Sequence, residues 1–334
     1  MKIKVPFAIL MMLCFIAKSQ DIHFTNNRFA PLQWSPAGFG SFEGNMRVGS
    51  LYRSQFSDFI AKPYETMVVY GDIPLDKGFR ASDWTGVGIQ IHNDMAGDLA
   101  VRNTGVTAGL TYHYTVGKNY KNVFSLGASY TMRNRSLDVS KAVFPESPVS
   151  GGGNDFNKLS EFNALTHNIN GGLQWTSKIG KYSRFQTGVS LLNILNRSFT
   201  GITDNVEGRR WNVHAIYTAV TNNQKNIFDY GAFYSTLTGF SNLSLQFTGR
   251  RNLKPKVKDG WVVGAGVGYR LQDAMQLLAL ASYKQWNMSI AYDLTVSDAK
   301  TYNNSNGAIE LALYKIFIFN ARPDVKPVIF CPQL

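Results

Sequence analysis

Residues 102–116, RNTGVTAGLTYHYTV, alternate with a period of two. Thr104, Val106, Ala108, Leu110, Tyr112 and Tyr114 fall on one face, and Gly105, Thr107, Gly109, Thr111, His113 and Thr115 on the other. Successive strand residues point to opposite sides, so the stretch reads as a β-strand with one apolar face and one small, polar face. A soluble sandwich would bury the apolar face. A membrane barrel would turn that face to lipid and keep the polar one for its lumen.

The rest of the chain favours the barrel. The same alternation recurs about fourteen times, near 45–54, 64–73, 84–92, 104–116, 122–135, 166–178, 182–194, 209–220, 226–237, 241–250, 261–271, 274–284, 286–296 and 307–319. Most of these segments are long enough to cross a bilayer when tilted. Charged residues are 17% of the 334, against roughly a quarter in a typical soluble domain. A mean hydropathy of −0.15 excludes a bundle of membrane helices. The predicted fold is all-β: a transmembrane antiparallel up-and-down β-barrel of about 14 strands.

The first twenty residues, MKIKVPFAILMMLCFIAKSQ, place Lys2 and Lys4 before an apolar run that ends in Ala-Lys-Ser, the pattern of a secretory signal cut after Ser19. Cys14 follows bulky Leu13, which disfavours lipoprotein processing. The expected organisation is a signal peptide at 1–19, an N-terminal periplasmic arm or plug at 20–40, the barrel at 41–320 and a periplasmic tail at 321–334. The arm carries Phe24, Phe29, Leu32 and Trp34 and is expected to pack at the periplasmic mouth. After cleavage Cys331 alone remains, so no internal disulfide is available.

If the chain starts in the periplasm, GKNYK (117–121), KIGKY (178–182) and NNQKN (222–226) are short inner turns. The longest connector, 136–165, and those at 196–208 and 297–306 are then external. The short external connectors near Gly239 and Asp273 fit this less well. Trp84, Trp175, Trp261 and Trp286 fall at the periplasmic rim as an aromatic girdle would, although Trp84 has the wrong parity for lipid.

No catalytic or metal signature stands out. His23, His92, His113, His167 and His214 are never two or four residues apart, and three of them, His92, His113 and His214, sit on polar-face positions. GAGVGYR (264–270) lies inside a strand, not at the opening of a helix, so it is no dinucleotide loop. Its glycines are expected to form a thin inward face for a plug, a loop or a partner. GGGNDFN (151–157) fits no calcium loop. The net charge of +12 is scattered, which argues against nucleic acid and for anionic membrane surfaces or acidic partners. No cofactor is expected.

Two stretches carry a family resemblance. FAPLQWSPAGFGSFEGNMRVGSLYRSQF (29–56) holds Ser35-Pro36-Ala37 and Tyr52-Arg53-Ser54-Gln55. The late stretch holds Ala291-Tyr292-Asp293, Asn306-Gly307 with Glu310, and a closing Cys331-Pro332. In type, order and end position these resemble the PorP/SprF outer-membrane proteins associated with type IX secretion. Ser35 stands where the family usually has Asn, and Ala291 where it has Ser. The resemblance implies a non-enzymatic role in export or surface anchoring of large secreted proteins, gliding adhesins among them. The implied partners are a secreted protein with a C-terminal sorting domain, secretion components and outer-membrane lipid. Pro36, Tyr52, Arg53, Gln55, Cys331 and Pro332 are the candidate partner-binding residues. The alternative is a porin or hydrophobic-solute channel, although the inward faces show no ring of charge such as sets porin selectivity.

The tail, NARPDVKPVIFCPQL, is broken by proline and cannot continue the last strand. If it docks on the barrel or a machine component, a chain ending at Ala321 should lose export or assembly in a secretion assay. Unchanged export and assembly would exclude docking.

Overall fold

The computed structural model describes residues 23–56, 63–75, 78–97, 101–117, 121–136, 163–195, 197–198, 208–237, 240–254 and 260–319. The expected signal peptide, the connector containing GGGNDFN, and the tail with Cys331 and Pro332 lie outside these residues.

The first seven strands are β1 (Met46–Gln55), β2 (Tyr64–Leu75), β3 (Trp84–Ala96), β4 (Val101–Val116), β5 (Asn122–Ser136), β6 (Asn163–Ile179) and β7 (Ser183–Leu192). A two-residue piece, β8 (Arg197–Ser198), follows. The remainder are β9 (Arg210–Val220), β10 (Asn226–Leu237), β11 (Phe240–Asn252), β12 (Val262–Arg270), β13 (Ala274–Tyr283), β14 (Trp286–Thr295) and β15 (Asn306–Phe317). Each of the fourteen predicted strands is present.

All pairings are antiparallel between neighbours, and β1 pairs β15 from Met46↔Phe317 to Gln55↔Ala308. That seam closes a fourteen-strand barrel and removes the edge strands that would otherwise expose unpaired backbone. β6 runs beyond β7 at one end, and there β8 folds back to pair with Thr166 and His167. No described helix is long and apolar enough to cross a membrane.

The two faces are inverted relative to a soluble protein. On β4, Leu110 is 56% exposed while Thr111 and His113 are fully buried. On β5, Phe124, Leu126, Tyr130 and Met132 are exposed while Ser125, Ser129 and Thr131 are buried. An apolar belt with a polar interior is the solution for a barrel in lipid.

The barrel has a near end, which holds Met46, Trp84, Trp286 and Phe317, and a far end, which holds Gln55, Arg270 and Asn306. The near end corresponds to the periplasmic side of the sequence reading. Trp261 and Trp286 face outward there. Trp261 stacks on Tyr283 at 4.7 Å between centroids, and the Lys315 ammonium lies over Trp286. Trp84 departs from the girdle, as its parity indicated. It points inward, stacks on His113 at 4.5 Å and donates its indole N–H to the Gly40 carbonyl at 3.1 Å. At the same mouth Asp83 accepts hydrogen bonds from Arg80, Tyr112 and Thr115, which tie the β2–β3 connector to β4.

Arginine substituted for Ile290, outward and in the middle of β14, should destabilise the barrel in phospholipid vesicles by about 2–4 kcal/mol. Denaturant unfolding followed by the heat-modifiable gel shift measures this. Native-like stability would mean that this face is not in hydrocarbon.

Candidate functional site: a plug latched inside the lumen

The N-terminal segment lies inside the barrel, not at its mouth. Its first described residues reach the far half of the lumen and its last enter β1 at the near end. It contains a 3₁₀ turn at Asn27–Phe29, one helical turn α1 (Pro31–Trp34) and a second 3₁₀ turn at Pro36–Gly38. Proline opens α1 and the second 3₁₀ turn, where its missing N–H costs nothing. The Ser35 hydroxyl accepts from the Ala37 N–H at 3.1 Å and caps the second turn. The preference for the periplasmic mouth fails because the lumen wall supplies partners along the whole segment.

At the far end, Arg53 on β1 donates to Asp293 on β14 at 3.0 Å and also pairs with Glu310 on β15. Arg270 on β12 donates to the same Asp293 oxygen at 3.2 Å and to the Thr25 hydroxyl at 2.8 Å. Glu310 accepts from the backbone N–H of Thr25 at 2.6 Å and of Asn26 at 2.8 Å. The Thr25 hydroxyl donates to Asp293 at 2.6 Å. Gln246 on β11 donates to the Thr25 carbonyl at 2.7 Å. Two cations, two anions and one turn of plug therefore form a single buried network, in which each carboxylate is both ion-paired and hydrogen-bonded.

Lower in the lumen, Asp229 on β10 pairs with Arg250 on β11 at 2.7 Å and with Arg28 of the plug. Trp34 offers its carbonyl to Asn212 at 3.0 Å and to Ser190, and its ring packs against Phe233. The Pro36 carbonyl accepts from the Thr111 hydroxyl. At the near end Asp72 holds Arg47 through two bonds of 2.8 and 2.9 Å and accepts from the Gly40 N–H at 2.8 Å. His113 bridges the Phe39 carbonyl at 2.8 Å and the Ser125 hydroxyl at 2.7 Å. A carbonyl can only accept, so Nε2 of His113 carries the proton and Nδ1 accepts from Ser125. Phe24, Phe29 and Phe39 add an apolar patch against Leu51, Val68, Tyr70 and Tyr314.

Glycine makes room for this segment, at positions other than those expected. A Cβ at Gly127 would fall on Pro36 and Ala37, at Gly172 on Ser35, at Gly86 on the Phe39 carbonyl and at Gly109 on the Phe39 ring. Gly264, Gly266 and Gly268, the predicted thin face, do not meet the plug. They are paired with Arg250, Thr248 and Gln246 of β11, and a Cβ on them would meet those side chains, of which Arg250 and Thr248 bond Asp229 on β10 and Gln246 bonds the Thr25 carbonyl.

The predicted site residues divide. Arg53 lies at the centre of the far-end network and Pro36 within the plug. Gln55 accepts from Arg53 at 3.4 Å. Tyr52 points the other way, outward, with its hydroxyl donating to Glu65 at 2.7 Å. Cys331 and Pro332 fall outside the described residues. Arg47, Asp72, Asp229, Arg250, Arg270, Asp293 and Glu310 were not singled out as site residues. The available signal was parity: each is a charged side chain at an inward position of a barrel strand. Among the described residues no three His, Cys, Asp or Glu side chains come together as a metal site.

The sequence profile of the family described as "Type IX secretion system membrane protein PorP/SprF" matches residues 16–314. No curated protein sequence matches the chain. Among solved structures, the CymD monoaromatic hydrocarbon channel aligns with a TM-score of 0.49 at 12% identity, covering 91% of this chain and 96% of that one. A Pseudomonas aeruginosa FadL homologue aligns with a TM-score of 0.42 at 10% identity, covering 85% and 93%. CdiB from Acinetobacter baumannii aligns with a TM-score of 0.38 at 8% identity; the match covers 81% of this chain but 60% of the CdiB chain.

Removing Glu310 as Glu310→Ala leaves Arg53 short of one partner and both plug N–H groups without an acceptor. Breaking a buried pair in this way costs about 3–5 kcal/mol. Tryptic cleavage after Arg28 should then accelerate at least about tenfold in a barrel that still shows its heat-modifiable shift. Gly127→Leu, which displaces the Pro36 turn sterically, should do the same. Unchanged cleavage in both variants would show that these contacts do not hold the plug.

Proposed function

Because the chain belongs to the type IX secretion system PorP/SprF membrane-protein family, we propose that it is a plugged, non-enzymatic outer-membrane barrel that supports export or surface anchoring of type IX substrates. In this reading it binds such substrates, large adhesins with a C-terminal sorting domain, or the secretion machinery, and conducts no solute. The observation that carries the reading is the occupied lumen. Residues 23–45 run through it, latched at both ends by buried carboxylate–arginine pairs. Residues that carry the family resemblance, Arg53, Asp293 and Glu310, are spent on that latch instead of lining an open pore.

The plug also weighs against the channel alternative. A porin needs an aqueous path with a charged constriction, whereas the inward carboxylates Asp72, Asp229, Asp293 and Glu310 are each bonded to arginine or to the plug. An outer-membrane location follows from the same reading, supported by the apolar belt and the family. The strand lengths and closed seam suit that bilayer.

A tagged chain solubilised gently from outer membranes should bring down a large secreted protein or type IX components, identified by mass spectrometry. In planar bilayers it should show little steady conductance, and Glu310→Ala should raise the frequency of openings. A solitary barrel with stable, high conductance would overturn the proposal in favour of the channel.

A further inference from the structure

Five cations gather on one side of the barrel, at its near end. Lys225 precedes β10, Arg251 is the last residue but one of β11, Lys254 follows that strand, Lys284 sits in the β13–β14 turn and Lys315 is two residues from the end of β15. Four of them are exposed and Lys315 is half-buried. Arg251 shares the outward parity of Leu245 and Phe247, and Lys315 that of Leu311 and Leu313, all of which are exposed. Among the described residues none of the five pairs with a carboxylate. The outward positions in the near halves of β11 to β15 hold no Asp or Glu.

The cations share this band with the aromatic rim. Tyr283 stands opposite Trp286, and Trp286 opposite Lys315. The Lys315 ammonium lies 4.7 Å from the Trp286 ring centroid and 4.8 Å from that of Phe317, and the Lys284 ammonium 5.3 Å from that of Tyr283. Stems laid along rings carry the ammonium groups at the level where the rings meet water. A cation on the lipid face is costly at the bilayer midplane and tolerated near the interface, so Lys315 places this band among headgroups. At their far ends the same strands turn Leu245, Tyr269, Met275, Tyr292 and Ile309 outward, with no cation among them. An aromatic girdle alone is indifferent to headgroup charge, whereas a cluster of cations without carboxylate partners attracts anionic lipid.

We propose that the near-end rim of β11 to β15 is a binding site for an anionic phospholipid. Lys284 and Lys315 flank Trp286 and hold the headgroup phosphate, Arg251 and Lys254 add charge from the neighbouring hairpin, and the acyl chains run along the apolar outward face above. The outward parity of Arg251 and Lys315 makes the occupant a lipid and not an acidic protein, because that face is the one turned to the bilayer. The near end, where the short turns lie, is the periplasmic side, which selects phospholipid over the phosphorylated lipid A of the opposite leaflet. The inference rests on the outer-membrane reading but not on substrate anchoring. A barrel that captures a secreted partner without lipid selectivity loses only this inference, and one that selects lipid but captures nothing loses only the anchoring reading.

The test is native mass spectrometry of the full barrel in detergent, titrated with phosphatidylglycerol, with phosphatidylcholine of the same chains and with lipid A. Phosphatidylglycerol should be retained at least about tenfold more tightly than phosphatidylcholine, and the preference should shrink as salt is raised. The double variant Lys284→Gln with Lys315→Gln should lower its affinity at least about tenfold while the heat-modifiable shift persists, the scale of two lost cation–headgroup attractions. Lys300→Gln, at the far end, should leave it unchanged. Equal retention of the two phospholipids, or an unchanged preference in the double variant, would overturn the proposal. Tighter retention of lipid A than of phosphatidylglycerol would overturn the choice of occupant.

Discussion

A closed barrel with lipid outside must satisfy its inward polar groups from within, and the pairing of Arg53 with Asp293 and Glu310 meets that demand at the closing seam. Arg53 is on β1 and Glu310 on β15, which face each other in the register that joins the first strand to the last. Asp293 comes from β14 and Arg270 from β12, so charges from four strands meet over one turn of plug. None of these side chains is stable in place alone, because a buried charge without its partner is strongly destabilising. Closing the seam therefore assembles the cluster that holds the plug.

The same logic runs down the lumen. Asp229 joins β10, β11 and Arg28; Asp72 joins β1, β2 and the backbone at Gly40. Each station places an aspartate or glutamate on the wall where the plug offers an N–H or a guanidinium. Glycines at 86, 109, 127 and 172 lower the wall where the plug backbone comes closest. The result is a lumen occupied by residues 23–45, with cavities left between plug and wall.

The departures of this chain from the pattern of its family have a physical reading. Ser35 replaces the usual Asn at the N-cap of the Pro36 turn, and its hydroxyl makes the bond to Ala37 that an Asn side chain would make. Ala291 is buried on β14 within the packed wall, where a small side chain suffices. Tyr52, although adjacent to Arg53 in sequence, cannot share its task, because neighbours on a strand point to opposite faces.

The barrel was legible in the sequence because period-two alternation over fourteen membrane-length segments is a local property, set by the geometry of a strand and by its two solvents. The parity of Trp84 already pointed away from lipid for the same reason. The position of residues 23–45 was not legible. Their apolar residues suit a mouth or a lumen equally, and the choice depends on where Gly127, Gly172, Asp293 and Glu310 come to lie once β1 meets β15. Arg53 and Glu310 are 257 residues apart in the chain. Alternation assigned each of them an inward face, but only closure of the barrel brought the two faces together and decided that the lumen is filled.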